Sequence, residues 1–409
     1  MNLHLHSIII NQQSTIKISG SKSETNRLLL LQALYPNITL DNISSSDDSQ
    51  VMIKALASKT QEIDIHHAGT AMRFLTAYFA QKEGKEVILT GSSRMKERPI
   101  KILVEALQQL GAEIEYVENE GFAPIKITGK KIVQHKISLL ANVSSQYISA
   151  LLLIAPKLEN GLELTLVGEI ASTPYIKMTL ALLNDLGIET SFIDNKISVL
   201  PQFIIHNSQF TIESDWSSAS YFYSIIALSE IGTQITLSSY KQNSLQGDCV
   251  LAEIYKDFGV ETVFNLNKTI SITKINNCQL STINYQLNNA PDIAQTIAVT
   301  CFGLRVGCHL TGLHTLKIKE TDRLEALKVE LTKLGATISV TNNSLTLEGS
   351  SNIHSDIKIK TYQDHRMAMA FAPLALRTSI IIEDAGVVSK SYPNFWNDLQ
   401  SIGFRINEI

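Results

Sequence analysis

Residues 103–116 read LVEALQQLGAEIEY, a helix that stops at a glycine and turns into a strand. Leu103, Ala106, Leu107 and Leu110 fall at i, i+3, i+4 and i+7, the spacing of a one-sided helix. Gly111 follows where a helix ends in the left-handed conformation that glycine adopts cheaply, and strand-like alternation begins behind it. The arrangement recurs in MTLALLNDLGIETSF (178–192), VLAEIYKDFGVETVF (250–264), ALKVELTKLGATISV (326–340) and NFWNDLQSIGFRINEI (394–409). Gly187, Gly259, Gly335 and Gly403 take the place of Gly111. Successive glycines are about 70 residues apart, so each unit is a helix–strand assembly larger than a common solenoid repeat. A degenerate sixth copy is expected at VMIKALASKTQEIDI (51–65), where the glycine is missing and the link is short. Six units divide most simply as three plus three. The reading is an α/β chain of two domains, one of residues 20–213 and one of residues 1–19 plus 214–409. The crossing falls near residues 214–220, where FTIES gives way to a polar turn and a new apolar helix.

Composition narrows the function classes. The chain has 409 residues, 44% of them hydrophobic, enough for two substantial cores. Its net charge of −4 gives no bulk attraction to nucleic acid, and no Lys/Arg arm or aromatic–basic ladder supplies a local one. The start, MNLHLHSIII, lacks a basic leader and a cleavage site, and the longest apolar run, near 148–155, is too short to span a bilayer. Cys249, Cys278, Cys301 and Cys308 show no CxxC spacing and read as small buried hydrophobes in a reducing compartment. A cytoplasmic protein without nucleic-acid or membrane partners is expected.

Only 18% of the residues are charged, yet cations cluster with hydroxyls and acids just before apolar helices. In GSKSETNR (20–27), Ser23 could cap a helix whose amides favour an anion, Lys22 adds an ammonium, and Arg27 offers a planar fork. In HHAGTAMRF (66–74), the Ala68–Thr70 turn is a potential amide nest, and the two histidines lack a second ligand cluster for zinc. In SSRMKERP (92–99), Pro99 suits the first turn of a helix and would fix Arg98 at its start; Arg94 and Lys96 also fit a solvated basic loop. Ser144, Ser145 and Gln146 open another helix, as anion donors or as a plain serine cap. Asp292, behind Pro291, heads an apolar helix, either as a cap or as a general base for a hydroxyl. IKETDRL (318–324) flanks Glu320 with Lys319 and Arg323, which would hold it ionised unless burial opposes them. Arg366 in YQDHRMAM and Lys390 in VVSKSYP complete the set. Taken singly, each could be a surface ion pair worth less than about 1 kcal/mol.

In this order, GSKSETNR, AGTAMR, MKERP, SSQ, STPY, APD, KETDR, DHRMAM and VSKSYP resemble the EPSP synthase (3-phosphoshikimate 1-carboxyvinyltransferase) family of enolpyruvyl transferases. The resemblance spans nearly the whole chain. It implies a two-domain inside-out α/β barrel, each domain three βαβαββ repeats with helix N-termini facing the interdomain cleft. It implies transfer of the enolpyruvyl group of phosphoenolpyruvate to the 5-hydroxyl of shikimate 3-phosphate, in aromatic amino acid biosynthesis, by a monomer that needs no metal or organic cofactor. Lys22, Ser23, Arg27, Ser144, Ser145, Ser172, Tyr175, Asp292 and Lys319 would meet shikimate 3-phosphate. Lys22, Gly69, Arg98, Gln146, Arg323, Arg366 and Lys390 would hold phosphoenolpyruvate. Asp292 and Glu320 would carry protons, with Lys22 beside them. His67 stands where the family usually has Asn, Phe74 where it has Pro, and Thr315 where some members use Asn.

Two other readings compete. The related UDP-N-acetylglucosamine enolpyruvyl transferases usually carry a cysteine loop before the counterpart of Arg98, and residues 85–98 contain none. A non-catalytic anion-binding scaffold gives no reason to keep the carboxylates of Asp292 and Glu320 among the cations.

Overall fold

The structure, a computed structural model, describes residues 1–6, 13–140, 144–168, 170, 173–350 and 352–409. The chain forms two compact units, Ser21–Ile212 and a second made of Met1–Gly20 with Glu213–Ile409.

The glycine stops are one motif used five times. Gly111, Gly187, Gly259, Gly335 and Gly403 all have φ between 76° and 111°. Behind each, the next amide reaches back five residues: Ala112 to Leu107, Ile188 to Leu183, Val260 to Tyr255, Ala336 to Leu331 and Phe404 to Leu399, at 2.9–3.1 Å. This is the bond that closes a helix whose last residue is left-handed, and it aims the chain into a strand with an apolar residue turned back onto the helix.

Each stop feeds the same kind of sheet. In Ser21–Ile212, Glu62–Asp64 pairs parallel with Glu86–Thr90, and the hairpin of Glu113–Tyr116 and Ile125–Thr128 adds antiparallel through its second strand. Lys136–Leu140, Leu162–Val167, Thr190–Ile193 and Lys196–Val199 repeat that order. In the other unit, Thr282–Gln286, Gly307–Thr311, Ile338–Val340 and Ser344–Leu347 do so again. Two further sheets borrow strands from the N-terminus: Gln13–Ile16 pairs parallel with Gln234–Leu237, and Leu3–His6 sits between Ile380–Ile382 and Arg405–Glu408. The parallel pairs require helical crossovers and the antiparallel pairs need only hairpins, which is the βαβαββ pattern.

The sixth copy differs from the expected one. VMIKALA lies in the helix Asp47–Ala57, but EID is the first strand of the next sheet and not the end of its own unit. What remains of this copy is a parallel pair, Ile38–Asp41 with Ser208–Thr211. With no glycine stop, this pair carries no hairpin among the described residues.

The core of the Met1–Gly20 and Glu213–Ile409 unit is aromatic around the helix Trp216–Leu228, with Trp216, Tyr223, Tyr240, Tyr255 and Phe258 buried. Of the cysteines, Cys301 and Cys308 are buried as expected, whereas Cys249 and Cys278 are only half-buried; all four are free thiols. Among the described residues no helix is long and apolar enough to cross a membrane.

Candidate active site

In Ser21–Ile212 the serine and glycine helix starts hold the candidate residues. Lys22 opens the helix Lys22–Leu34, and its Nζ lies 3.3 Å from the buried carboxylate of Asp48. His67 Nε2 lies 3.7 Å from the other oxygen of Asp48. Among the described residues the buried Ser21 hydroxyl ahead of this helix has no hydrogen-bond partner, and no side chain caps the helix. The expected role of Ser23 as the cap therefore fails: it is already inside the helix, and its carbonyl accepts from Arg27 Nη1 at 2.7 Å.

Arg27 is almost fully buried. It donates to Thr179 Oγ1 at 2.8 Å, Ser149 Oγ at 3.0 Å and the Tyr175 carbonyl at 3.3 Å, with the rings of Phe74 and Tyr175 5.5 and 5.9 Å away. Burial brings its guanidinium down to about 10, and the neighbouring Tyr175 and Glu24 recover only part of the loss. Phe74, which departs from the usual proline, is thus part of the wall on which this cation rests.

Gly69 begins the helix Gly69–Ala80, and the Arg98 guanidinium lies directly against it. Arg98 does not start a helix. Ile100 is the N-cap of Lys101–Gln109, so Pro99 stays outside and Arg98 belongs to the link behind the short helix Ser93–Lys96. Its Nε is buried and has no hydrogen-bond partner among the described residues. Arg94 is exposed and Lys96 half-buried, and they pair with Glu97 and Glu118, the solvated reading. Ser144 caps Ser145–Ile154 by accepting from the Gln146 amide at 3.3 Å, while Gln146 Nε2 donates to Thr70 at 3.2 Å. Ser145 is buried. Ser172 lies outside the described residues.

In the other unit, Arg323 is the hub. It is 1% exposed and starts the helix Arg323–Lys333, capped by Asp322. Its Nε meets Asp364 Oδ2 at 2.6 Å, its Nη1 meets Asp292 Oδ1 at 2.8 Å, and its Nη2 meets Glu320 Oε2 at 2.8 Å. Lys319 lies 3.6 Å from Asp292 and Arg366 lies 3.3 Å from its other oxygen. Asp292 is therefore no cap: it sits in the single turn Pro291–Ile293 and turns its carboxylate onto three cations. Burial pushes its pKa up, but Lys319, Arg366 and Arg323 together outweigh it and hold the carboxylate well below the usual range. Burial likewise works against the charge of Arg323, and Asp364, Glu320 and Asp292 overcompensate.

Asp364 caps His365–Phe371 through the Arg366 amide at 2.9 Å, so one carboxylate fixes both arginines. Just before it, Tyr362 and Gln363 both take left-handed backbone, φ 53° and 56°. Such residues cost of order 1 kcal/mol each and persist where surroundings enforce them. Here the Tyr362 hydroxyl is held by buried Glu330 at 2.6 Å, and the Gln363 carbonyl accepts from Lys390 Nζ at 2.7 Å. The strained pair thus seats Lys390.

One acid in this neighbourhood is not signalled by any motif above. Asp248, in QGD (246–248), is 3% exposed and accepts from the Ser217 hydroxyl, which in turn accepts from Arg366 Nη2 at 3.2 Å. A glycine turn ending in an acid behind a polar loop is the only local hint, and it is weak.

The EPSP synthase (3-phosphoshikimate 1-carboxyvinyltransferase) family model matches residues 55–399. This chain belongs to the EPSP synthase family. A 3-phosphoshikimate 1-carboxyvinyltransferase of Bacteroides fragilis is 49% identical over 399 residues, with 96% of each chain covered. One from Haemophilus influenzae is 36% identical, covering 95% of this chain and 96% of its own. The EPSP synthase structure from Acinetobacter baumannii superposes with a TM-score of 0.81 over the whole of both chains at 20% identity, a likeness of fold. The expected two-domain α/β architecture of the EPSP synthases is thus the architecture of this chain.

Proposed function

We propose that this protein transfers the enolpyruvyl group of phosphoenolpyruvate to the 5-hydroxyl of shikimate 3-phosphate, releasing phosphate. The observation that carries the reading is the placement of two carboxylates, Asp292 and Glu320, on one buried arginine, with Lys319 and Arg366 beside Asp292. Cations alone would bind anions; carboxylates kept among them can also move protons.

Residues 20–213 serve shikimate 3-phosphate through Lys22, Ser23, Arg27, Ser144, Ser145, Ser172 and Tyr175, while Lys22 also joins Gly69, Arg98 and Gln146 in serving phosphoenolpyruvate. Residues 1–19 and 214–409 supply Arg323, Arg366 and Lys390 to phosphoenolpyruvate and Asp292 and Lys319 to the acceptor hydroxyls. The acceptor oxygen attacks C2 of phosphoenolpyruvate and gives its proton to Asp292, while C3 takes the proton that Glu320 carries into the step in its acid form. The resulting ketal loses phosphate, which carries away the proton held by Asp292, as Glu320 takes a proton back from C3.

With three cations on it, Asp292 is a weak base. Substrate anions compete for those same cations. Once Lys319 and Arg366 turn to the substrates, burial becomes the dominant influence and the carboxylate gains the affinity for a proton that the attack requires. Each charge-assisted bond contributes about 1.5–3 kcal/mol, so several offset the desolvation of two anions. The enzyme works as a cytoplasmic monomer.

The test is phosphate release from phosphoenolpyruvate by the purified protein. Release is expected with shikimate 3-phosphate and not with UDP-N-acetylglucosamine; the opposite pattern overturns the assignment.

A further inference from the structure

Arg366 reaches two groups through one nitrogen. Its Nη2 lies 3.3 Å from Asp292 Oδ2 and 3.2 Å from Ser217 Oγ. Ser217 stands in the first turn of Trp216–Leu228, and its hydroxyl donates to Asp248 Oδ2 in the turn Gly247–Val250. Asp248 Oδ1 is buried with no hydrogen-bond partner, so this bond from Ser217 is the hydrogen bond that its carboxylate makes among the described residues.

A hydroxyl has one hydrogen and two lone pairs. An ionised carboxylate can only accept, so it takes that hydrogen and leaves the Ser217 oxygen facing Arg366 as an acceptor. Without the acid, the hydroxyl can turn and point its hydrogen at the guanidinium. Burial, and then the nearby charge of Asp292, push the Asp248 carboxyl up to about 6, against the pull of Arg366 and the Ser217 bond; at neutral pH it stays ionised. The loop bearing it is pinned: Gln246 accepts from the Trp216 amide at 2.9 Å and donates to the Ser214 carbonyl at 2.9 Å. A buried acid kept here at a cost in solvation needs a purpose that packing does not supply.

We propose that Asp248 is a positioning residue, which polarises Ser217 so that Ser217 fixes the Arg366 guanidinium in the orientation that receives phosphoenolpyruvate. This rests on the reading that Arg366 holds phosphoenolpyruvate. Asp248 orients the guanidinium through Ser217, and only its direct charge attraction to Arg366 persists when the hydroxyl is gone.

The test is steady-state kinetics on the full-length protein with Ser217→Ala, Ser217→Thr, Asp248→Asn, the Ser217→Ala/Asp248→Asn double variant and Arg366→Lys. Losing one hydrogen bond to a charged group predicts a rise of about tenfold in KM for phosphoenolpyruvate in Ser217→Ala, with kcat and KM for shikimate 3-phosphate little changed. Ser217→Thr, which keeps the hydroxyl, restores the wild-type KM. Asp248→Asn raises KM by a smaller factor, and the double variant loses less than the two single effects multiplied together. Full additivity in the double variant, equal losses for both substrates, or an unchanged KM in Ser217→Ala overturns the proposal. Arg366→Lys separates the two layers. If it leaves KM for phosphoenolpyruvate unchanged, the underlying reading of Arg366 fails; if it raises KM while Ser217→Ala does not, only the positioning role fails. Ser217 is half-buried, so its variants keep the test open even if Asp248→Asn does not fold.

Discussion

The guanidinium of Arg98 fills the space that a side chain at Gly69 would need: a Cβ there would stand 2.6 Å from Nη1 and 2.9 Å from the central carbon. The clash is with the far end of a flexible side chain, so Gly69→Ala folds and Arg98 moves instead. The expected outcome is an intact melting temperature and a KM for phosphoenolpyruvate raised about tenfold or more, as for one lost charge-assisted contact. Calorimetric binding of shikimate 3-phosphate should be unchanged. A variant with wild-type KM would show that Arg98 does not hold the donor.

Glu320 shares Arg323 with Asp292 and Asp364. Glu320→Gln keeps the shape and an oxygen for Arg323 while removing the exchangeable proton. Turnover should fall by about 10²–10⁴, the usual worth of a positioned acid–base group, while shikimate 3-phosphate still binds. Turnover near wild type would remove Glu320 from the proton transfers.

The difference between what the sequence discloses and what it hides is visible in the aspartates. Asp215, Asp322 and Asp364 precede helices and cap them, each accepting from an amide two or three residues on. That contact is local, so spacing reveals it, as it reveals the five glycine stops. Asp292 has the same local signature and a different use, because its partners Arg323 and Arg366 come from other elements. Asp248 meets Ser217 across 31 residues and obeys no period at all. Motif resemblance finds Asp292; nothing in the local pattern finds Asp248. The missing hairpin of the first repeat escaped for a related reason, since a strand's sheet membership depends on its partner and not on its own residues.

Gln295, on the helix Ala294–Leu304 that follows Asp292, is fully buried, and neither its amide oxygen nor its nitrogen has a hydrogen-bond partner among the described residues. Each such atom forfeits its hydration without return. Gln295→Met preserves the length of the side chain and removes both. Stability should rise by about 1–3 kcal/mol, seen as a melting temperature higher by roughly 2–6 °C. An unchanged or lower melting temperature would mean that the amide has a partner in solution.

Asp248 gives stability a pH dependence of definite sign. Its ordinary value is 3.8, and burial, with Asp292 adding repulsion, pushes it up to about 6 in the folded protein. Between those values the folded state keeps a proton that the unfolded chain has lost. The contribution is therefore fully present below the unfolded value and is lost as pH rises through about 6. That difference corresponds to about 3 kcal/mol. Asp248→Asn has no charge to bury, so it should be more stable than wild type at pH 7.5, and the gap should close as pH falls from 6 to 4. Urea unfolding of both proteins across that range measures the gap directly, and because other groups titrate alike in the two, their contributions cancel. A gap that stays constant from pH 4 to 7.5 would mean that the carboxyl titrates normally and that its burial carries no such cost.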